Sequence, residues 1–224
     1  MGGARVKTVL AISRQLGSGG AFIGQAVANR LRLHYADRDI LHEAALALGV
    51  DDAALEALEE RPEGFWERVA HLFARGGAEG LYAPLDLPAF DQADLFSLEG
   101  RIIQEITSRE DAVIVGRGAS HVLREHPGLI SIFLYAPPAV RVSHVMETYH
   151  LDQADAAALV HRSDRERGQF IEALTGRGWA DASLYDMCLN TATVGWEAAA
   201  SIVTGIVARR MGRETPASSE RDSA

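Results

Sequence analysis

The chain has 224 residues, 47% hydrophobic and 24% charged, and its 31 Asp+Glu against 22 Lys+Arg leave a formal net charge of -9. That length suits one domain with at most a small lid, and so acidic a chain is a poor binder of nucleic-acid polymers, although a local basic cluster can still hold a small anion. A single cysteine, Cys188, excludes an intrachain disulfide, and no run approaches the ~18 apolar residues of a membrane span, so a cytoplasmic location without membrane contact is expected.

In chain order, VKTVLAIS (6–13) reads as a strand and runs through a glycine cluster into the helical pattern AFIGQAVANRLRL. A weaker strand candidate, LHYAD (33–37), precedes a long, mainly helical stretch, 38–110, that carries DILHEAALAL, DDAALEALEER, PEGFWERVAHLFAR and LFSLEGRIIQEITSR. Within it, GGAEGLYAPLDLPAFDQ (76–92) is rich in Gly and Pro and is the best internal candidate for mobility. The strand runs AVIVG (112–116) and LISIFLYA (129–136) follow, the second leading into the helix PAVRVSHVMETY. The helical pattern DQADAAALVHRSDRERGQFIEAL, a last strand candidate YDMCLNT (185–191) and the helix WEAAASIVTGIVARR complete the domain. The polar tail 211–224 is expected to be disordered. None of the strand runs alternates strictly, which suits strands buried on both faces of a parallel sheet. Strands alternating with helices predict an α/β, doubly wound fold.

A strand that feeds a glycine loop and then a helix forms an anion site from backbone alone. Loop amides point inward, and the helix N-terminus adds a dipole worth about 0.3–1 kcal/mol per charge. Here the loop lies in ISRQLGSGGAFIG (12–24), and Gly17, Ser18, Gly19, Gly20 and Ala21 would line it. Laid over the GxxxxGK(S/T) pattern with Gly19 as the second glycine, Arg14 takes the first glycine position, Gly20 the lysine position and Ala21 the hydroxyl position. As a motif the loop fails, and a plain Gly-rich turn packing strand on helix is an equal reading. A dinucleotide-binding GxGxxG from Gly17 fails at Phe22, although Asp37 lies near the distance expected of a ribose-binding acid.

Downstream, AVIVGRGASHVL sets Gly116-Arg117-Gly118 between a strand and a helix, and LISIFLYAPPAVRVSHV puts Arg141 near the start of the next helix. ALVHRSDRERGQF and WADASLYDMCLNT come after them. In order and spacing, from about Val6 to Val207, this succession resembles the cytidylate kinase-like family, a branch of the P-loop nucleoside monophosphate kinases. In that branch ISRQ-GSGG in place of a lysine-bearing loop is familiar. The resemblance implies one P-loop kinase domain over 1–210, an α/β fold with a five-stranded parallel sheet flanked by helices. Residues 38–110 would be the helical region that binds the nucleoside monophosphate, and about 150–180 a small lid. The implied activity is transfer of the γ-phosphate of ATP to CMP or dCMP with Mg²⁺, no residue being assigned as a direct ligand of the metal.

Phosphoryl transfer needs positioning and charge neutralisation more than covalent chemistry, and arginine supplies both through a planar, permanently charged fork. Arg14, immediately after the first strand, is a candidate to replace the absent lysine from a different backbone position. The lid would offer Arg162, Arg165 and Arg167; the first two share a helix face, while Asp164 and Arg167 match the family's D-x-x-R and are expected to orient one another. The alternative for this run is a solvated helix of alternating charge. By resemblance, Arg117 contacts the acceptor monophosphate, and Asn190 with Thr191 borders the adenine pocket. Asp37 is a candidate to hold a metal-bound water or to contact the acceptor, with Arg38 as a candidate phosphate partner; an equal reading makes Asp37 the cap of the helix that follows it. Trp179 and Tyr185 are expected to pack, Cys188 to be an inert core thiol, and every His to be a surface or core residue.

The family's acid after the Gly-Arg pair is Gly118 here, and its lysine and hydroxyl are Gly20 and Ala21, so neither base preference nor rate transfers with the resemblance. Two readings compete with the kinase. One is a nucleotide-binding regulatory module of the same fold without turnover. The other is a dinucleotide-dependent oxidoreductase, which Phe22 and the arginine-rich lid disfavour. A homo-oligomer is compatible with the sequence.

Overall fold

In the computed structural model, which describes residues 5–37, 92–116 and 118–213, the five aliphatic runs become one sheet. Its strands are β1 Val9–Arg14, β2 His34–Asp37, β3 Ala112–Val115, β4 Leu129–Tyr135 and β5 Met187–Asn190. Every pairing is parallel, in the order β2-β3-β1-β4-β5. From β1 the chain moves to one side for β2 and β3 and to the other for β4 and β5. The carboxyl end of β1 is therefore where connections diverge, the place where open α/β sheets bind ligands.

Helices cover the sheet: α1 Gly20–Leu31, α2 Gln92–Arg109, α3 Ala119–Val122, α4 Pro138–Tyr149, α5 Gln153–Thr175, α6 Thr191–Val194 and α7 Trp196–Arg210. Local chemistry sets their ends. Pro138 suits the first turn of α4. Asp152 caps α5 by accepting the Asp155 amide (2.9 Å), and Gly176 closes it in the left-handed conformation. α5 runs unbroken through Gly168. The last strand is shorter than its apolar run because its flanks are used otherwise. Asp186 accepts the Ser131 amide and hydroxyl (2.7 and 2.9 Å), and the Asn190 side chain accepts the Ala192 amide (3.1 Å) to cap α6.

Leu10, Ile12, Val113, Val115, Ile130, Ile132 and Leu134 face one side, where they pack with Ile23 and Val27 of α1 and Ala199, Val203 and Val207 of α7. Phe133, alternating with them, faces the other side and packs with Ile171 of α5 and Trp179. Trp179 meets Phe133 edge-on (5.3 Å), Tyr185 stacks on it (5.1 Å), and the Tyr185 hydroxyl donates to Trp179 O (3.0 Å), so both rings are packing residues as expected. Half-buried Cys188 packs beside them, and burial pushes its thiol above the ordinary range, which lowers its thiolate character. α4 and α5 form a hairpin with a small core of its own, Val145, Ala156, Leu159 and Val160.

At the C-terminus Met211 is buried and Arg213 donates to Leu31 O (2.7 Å), so the chain is anchored as far as 213. The expectations for 38–91, including the loop 76–92 up to its last residue, and for 214–224 lie outside the described residues, as do Arg38 and Arg117. Among the described residues no helix is long and apolar enough to cross a membrane.

Asp111, which precedes β3, ties the start of β1 in place by accepting the Thr8 amide (2.7 Å) and pairing with Arg5. Burial alone would raise its pKa, but the Thr8 amide, Arg5 and Lys7 together outweigh burial and hold the carboxyl below its ordinary value. A folded pKa below the unfolded one gives stabilisation that is complete above the unfolded pKa of about 4 and is lost as pH falls through the folded pKa. Asp111→Asn is therefore expected to lower the urea midpoint at pH 7 and to match the parent in strongly acidic buffer. A deficit of equal size at both pH values would contradict this.

Candidate active site

The loop after β1 begins as an extension of the sheet. The Gln15 amide donates to Leu134 O (3.0 Å), and Gln15 Oε1 accepts the Ala136 amide (3.2 Å). The chain then folds back, with the Ser18 amide and hydroxyl both reaching Gln15 O (3.2 and 2.7 Å). Gly17 and Gly19 take φ near +80°, a region that side chains with a Cβ rarely adopt. Within α1 the Ile23 amide bonds Gly19 O (2.9 Å). The amides of Gly20, Ala21 and Phe22 open the helix ahead of that bond, so helix geometry leaves them without an intrahelical acceptor. They are the donors that an anion would meet.

The carbonyls on the same stretch are held from elsewhere. Arg14 O accepts from Arg167 Nη1 (3.3 Å), Leu16 O from Arg141 Nη1 (3.4 Å) and Gly17 O from His144 Nδ1 (2.9 Å). Arg141 is 3% exposed. Its Nε donates to Ala136 O (2.9 Å), and its fork is bidentate to Asp164, at 2.8 and 3.1 Å. The expected mutual orientation of Asp164 and Arg167 thus takes a different form. Both lie on the loop-facing side of α5, with the Asp164 carboxylate on Arg141.

The glycines mark close approaches. A Cβ on Gly17 would fall 2.6 Å from Arg141 O, and one on Gly19 would fall 2.5–2.6 Å from the Trp196 indole. A Cβ on Gly20 would fall 2.5 Å from Arg14 Cγ, and one on Gly116 would overlap the Arg14 guanidinium. The Arg14 stem therefore passes over the first residue of α1, and its charged end lies at the end of β3. Trp196, at the start of α7, meets His144 edge-on (4.6 Å) and Phe22 at a tilt (5.7 Å), so a half-exposed aromatic group borders the loop.

Asp37 ends β2 in register with Val115, one residue before Gly116, and is 7% exposed, with the Tyr35 hydroxyl on its Oδ2 (3.3 Å). Asn190 ends β5 and uses its side-chain oxygen as the cap of α6. The structure thus brings Arg14, Gly17–Ala21, Asp164 and Arg167 together at one edge, with Asp37 and Asn190 at the ends of the two outermost strands. It does not bring Arg162 or Arg165 to the loop: both are exposed on α5, and Arg165 pairs with His161 one turn back (3.0 Å). At about 100° per residue, Arg162 lies on nearly the opposite side of α5 from Asp164.

Sequence reasoning left out His144 and Trp196 and gave Arg141 no role. The available signal was Arg141-x-x-His144, two donors one turn apart on the helix after a central strand.

The model of the family described as "Cytidylate kinase-like family" matches residues 9–193. The structure is similar to an uncharacterized protein from Eubacterium ventriosum, at 19% identity and a TM-score of 0.66, over 90% of this chain and 98% of that one. It is also similar to TT1252 from Thermus thermophilus, at 17% identity and a TM-score of 0.50, over 92% and 98% of the two chains. A shikimate kinase from Bacteroides thetaiotaomicron matches at 15% identity and a TM-score of 0.48, over 89% and 98%. No curated protein matches the sequence.

Gly19→Ala is expected to destabilise by about 1–3 kcal/mol, the range for a strained backbone position. It should also shift tryptophan fluorescence, because the new methyl displaces the indole. In a Trp196→Ala background the loss should shrink, leaving only the backbone part. An equal loss in both backgrounds would show that the indole does not press on the loop.

Proposed function

Because the chain belongs to the cytidylate kinase-like family, we propose that it transfers the γ-phosphate of ATP to CMP, dCMP or a related small acceptor, with Arg14 in the role of the absent lysine. The observation that carries this reading is the path of Arg14 over Gly20. A side chain at position 20 and the Arg14 stem compete for one space, since a Cβ there would fall 2.5 Å from Arg14 Cγ. The positive charge of the loop has changed its backbone position.

The residues suit a bound polyphosphate: Gly17 and Gly19 are left-handed and packed closely on Arg141 and Trp196, and the first turn of α1 opens with amides that have no intrahelical acceptor. ATP·Mg²⁺, when bound, supplies the transferable phosphoryl group and neutralises part of its charge. Gly17, Ser18, Gly19, Gly20 and Ala21 cradle the phosphates with their backbone. Arg14 and Arg167 approach from the strand and from α5, and Asn190 lies where the nucleoside would leave the loop. Ser18 Oγ is buried and turned to Gln15 O and Leu134 O (2.7 and 3.2 Å), and Ala21 has no oxygen. Asp37 is therefore the described carboxylate suited to holding a metal-bound water. We assign Arg117 and Arg38 to the acceptor phosphate, while Asp164 has both of its oxygens on Arg141. Arg162 and Arg165 would reach the phosphates only if α5 moved.

The second reading, binding without turnover, is the one that Ala21 favours. An assay of the purified protein with ATP, Mg²⁺ and a panel of nucleoside monophosphates, read as ADP release, separates the two. We expect ADP release with a pyrimidine monophosphate and a fall of roughly a thousandfold in Arg14→Ala, the lower end for loss of a transition-state cation. Partial recovery is expected in Arg14→Ala/Gly20→Lys, where the vacated space admits a lysine. Tight ATP binding with no ADP from any acceptor would support the regulatory module, and unchanged turnover in Arg14→Ala would remove Arg14 from the site.

A further inference from the structure

The α4–α5 hairpin, whose second helix lies in the lid that the resemblance implies, is bonded to the glycine loop at several points. Arg141 and His144 from α4 and Arg167 from α5 each donate to a loop carbonyl. The Leu16 side chain packs into the hairpin's own core with Val145, Leu159 and Val160. Gly17 lies so close to α4 that a Cβ would press on Arg141 O and Cα.

We propose that Arg141 is a positioning residue, held in place by Asp164, that keeps the loop's carbonyls turned toward the hairpin so that its amides face the polyphosphate. The peptide unit is planar, with C=O and N–H pointing opposite ways, so a carbonyl tied to one side aims the next amide to the other. Drawing Leu16 C=O toward α4 directs the Gly17 amide away from it. His144, one turn along α4, holds Gly17 C=O; the Ser18 amide that follows is taken by Gln15 O, so this bond fixes the position of the loop without adding a donor. Arginine suits this role because one fork spans the Asp164 carboxylate and the Leu16 and Ala136 carbonyls together, which a lysine cannot do.

Asp164 thereby acts on the donor site through Arg141 and not by touching the acceptor. With both of its oxygens on Arg141 it keeps a buried guanidinium paired; without it, that charge would turn toward water or toward the phosphates. The inference rests on the phosphotransferase reading for the identity of the anion, and on the hydrogen bonds themselves for the geometry.

The test measures binding of ATP and of inorganic tripolyphosphate to the full chain by calorimetry, together with KM for ATP and for the acceptor. Asp164→Asn and Arg141→Lys are expected to weaken both polyphosphates by about tenfold or more and to raise KM for ATP while KM for the acceptor stays level. Asp164→Glu, which can still form the pair, should keep most of the affinity. His144→Ala removes only the donor to Gly17 O and should give a smaller loss in the same direction, which keeps the test open if Arg141→Lys does not fold. A rise confined to the acceptor KM in Asp164→Asn would overturn the proposal, as would a lower melting temperature with unchanged polyphosphate affinity. If the parent protein bound neither polyphosphate, the site reading would fall and this role with it. If the parent bound and Asp164→Asn bound equally well, this role alone would fall.

Discussion

Backbone polarity at the end of β1 is the constraint around which the rest is built. A loop that offers its amides to an anion must dispose of its carbonyls elsewhere, because a buried carbonyl without a donor is costly and one facing a phosphate repels it. Arg141, His144, Ser18 and Arg167 supply those donors from α4, the loop itself and α5. The two helices consequently hold the loop in place. Their hairpin core receives Leu16 from the loop, so packing and hydrogen bonding hold the same stretch.

A second consequence concerns charge. The chain is acidic overall, with a formal net charge of -9, yet Arg14, Arg141 and Arg167 meet at one edge of the sheet. Arg14 lies across Gly20 and against Gly116, and Arg141 is buried beneath the loop. The two have different tasks. Arg141 has its fork engaged by Asp164 and by carbonyls, so its charge is used for geometry. The Arg14 stem lies over the opening of α1 and its guanidinium at the end of β3, beside Gly116. Glycine at 20 and at 116 is the complement of that side chain.

Much of this was legible in the residues. Five aliphatic runs without strict alternation predicted a parallel sheet, and all five appear as its strands. The apolar spacing of PAVRVSHVMETY and WEAAASIVTGIVARR predicted helices that run from Pro138 to Tyr149 and from Trp196 to Arg210. Gly17, Gly19 and Gly20 pointed to a tight turn between the first strand and the first helix, and Trp179 and Tyr185 to packing. The partner of Asp164 was not legible. On the chain its neighbour in the D-x-x-R pattern is Arg167, three residues on, whereas its fork lies 23 residues back in Arg141.

The sequence by itself determined the order of elements, the sheet class and the absence of a lysine from the loop, because each depends on local spacing and composition. Only the tertiary structure decided where the charges go. It brought the end of β1, the start of α1 and the end of β3 within one arginine side chain, and it laid α4 and α5 against the loop. Hydrogen-bond partners across that distance in the chain are chosen by packing of the sheet faces, and nothing in the local run of residues encodes the choice.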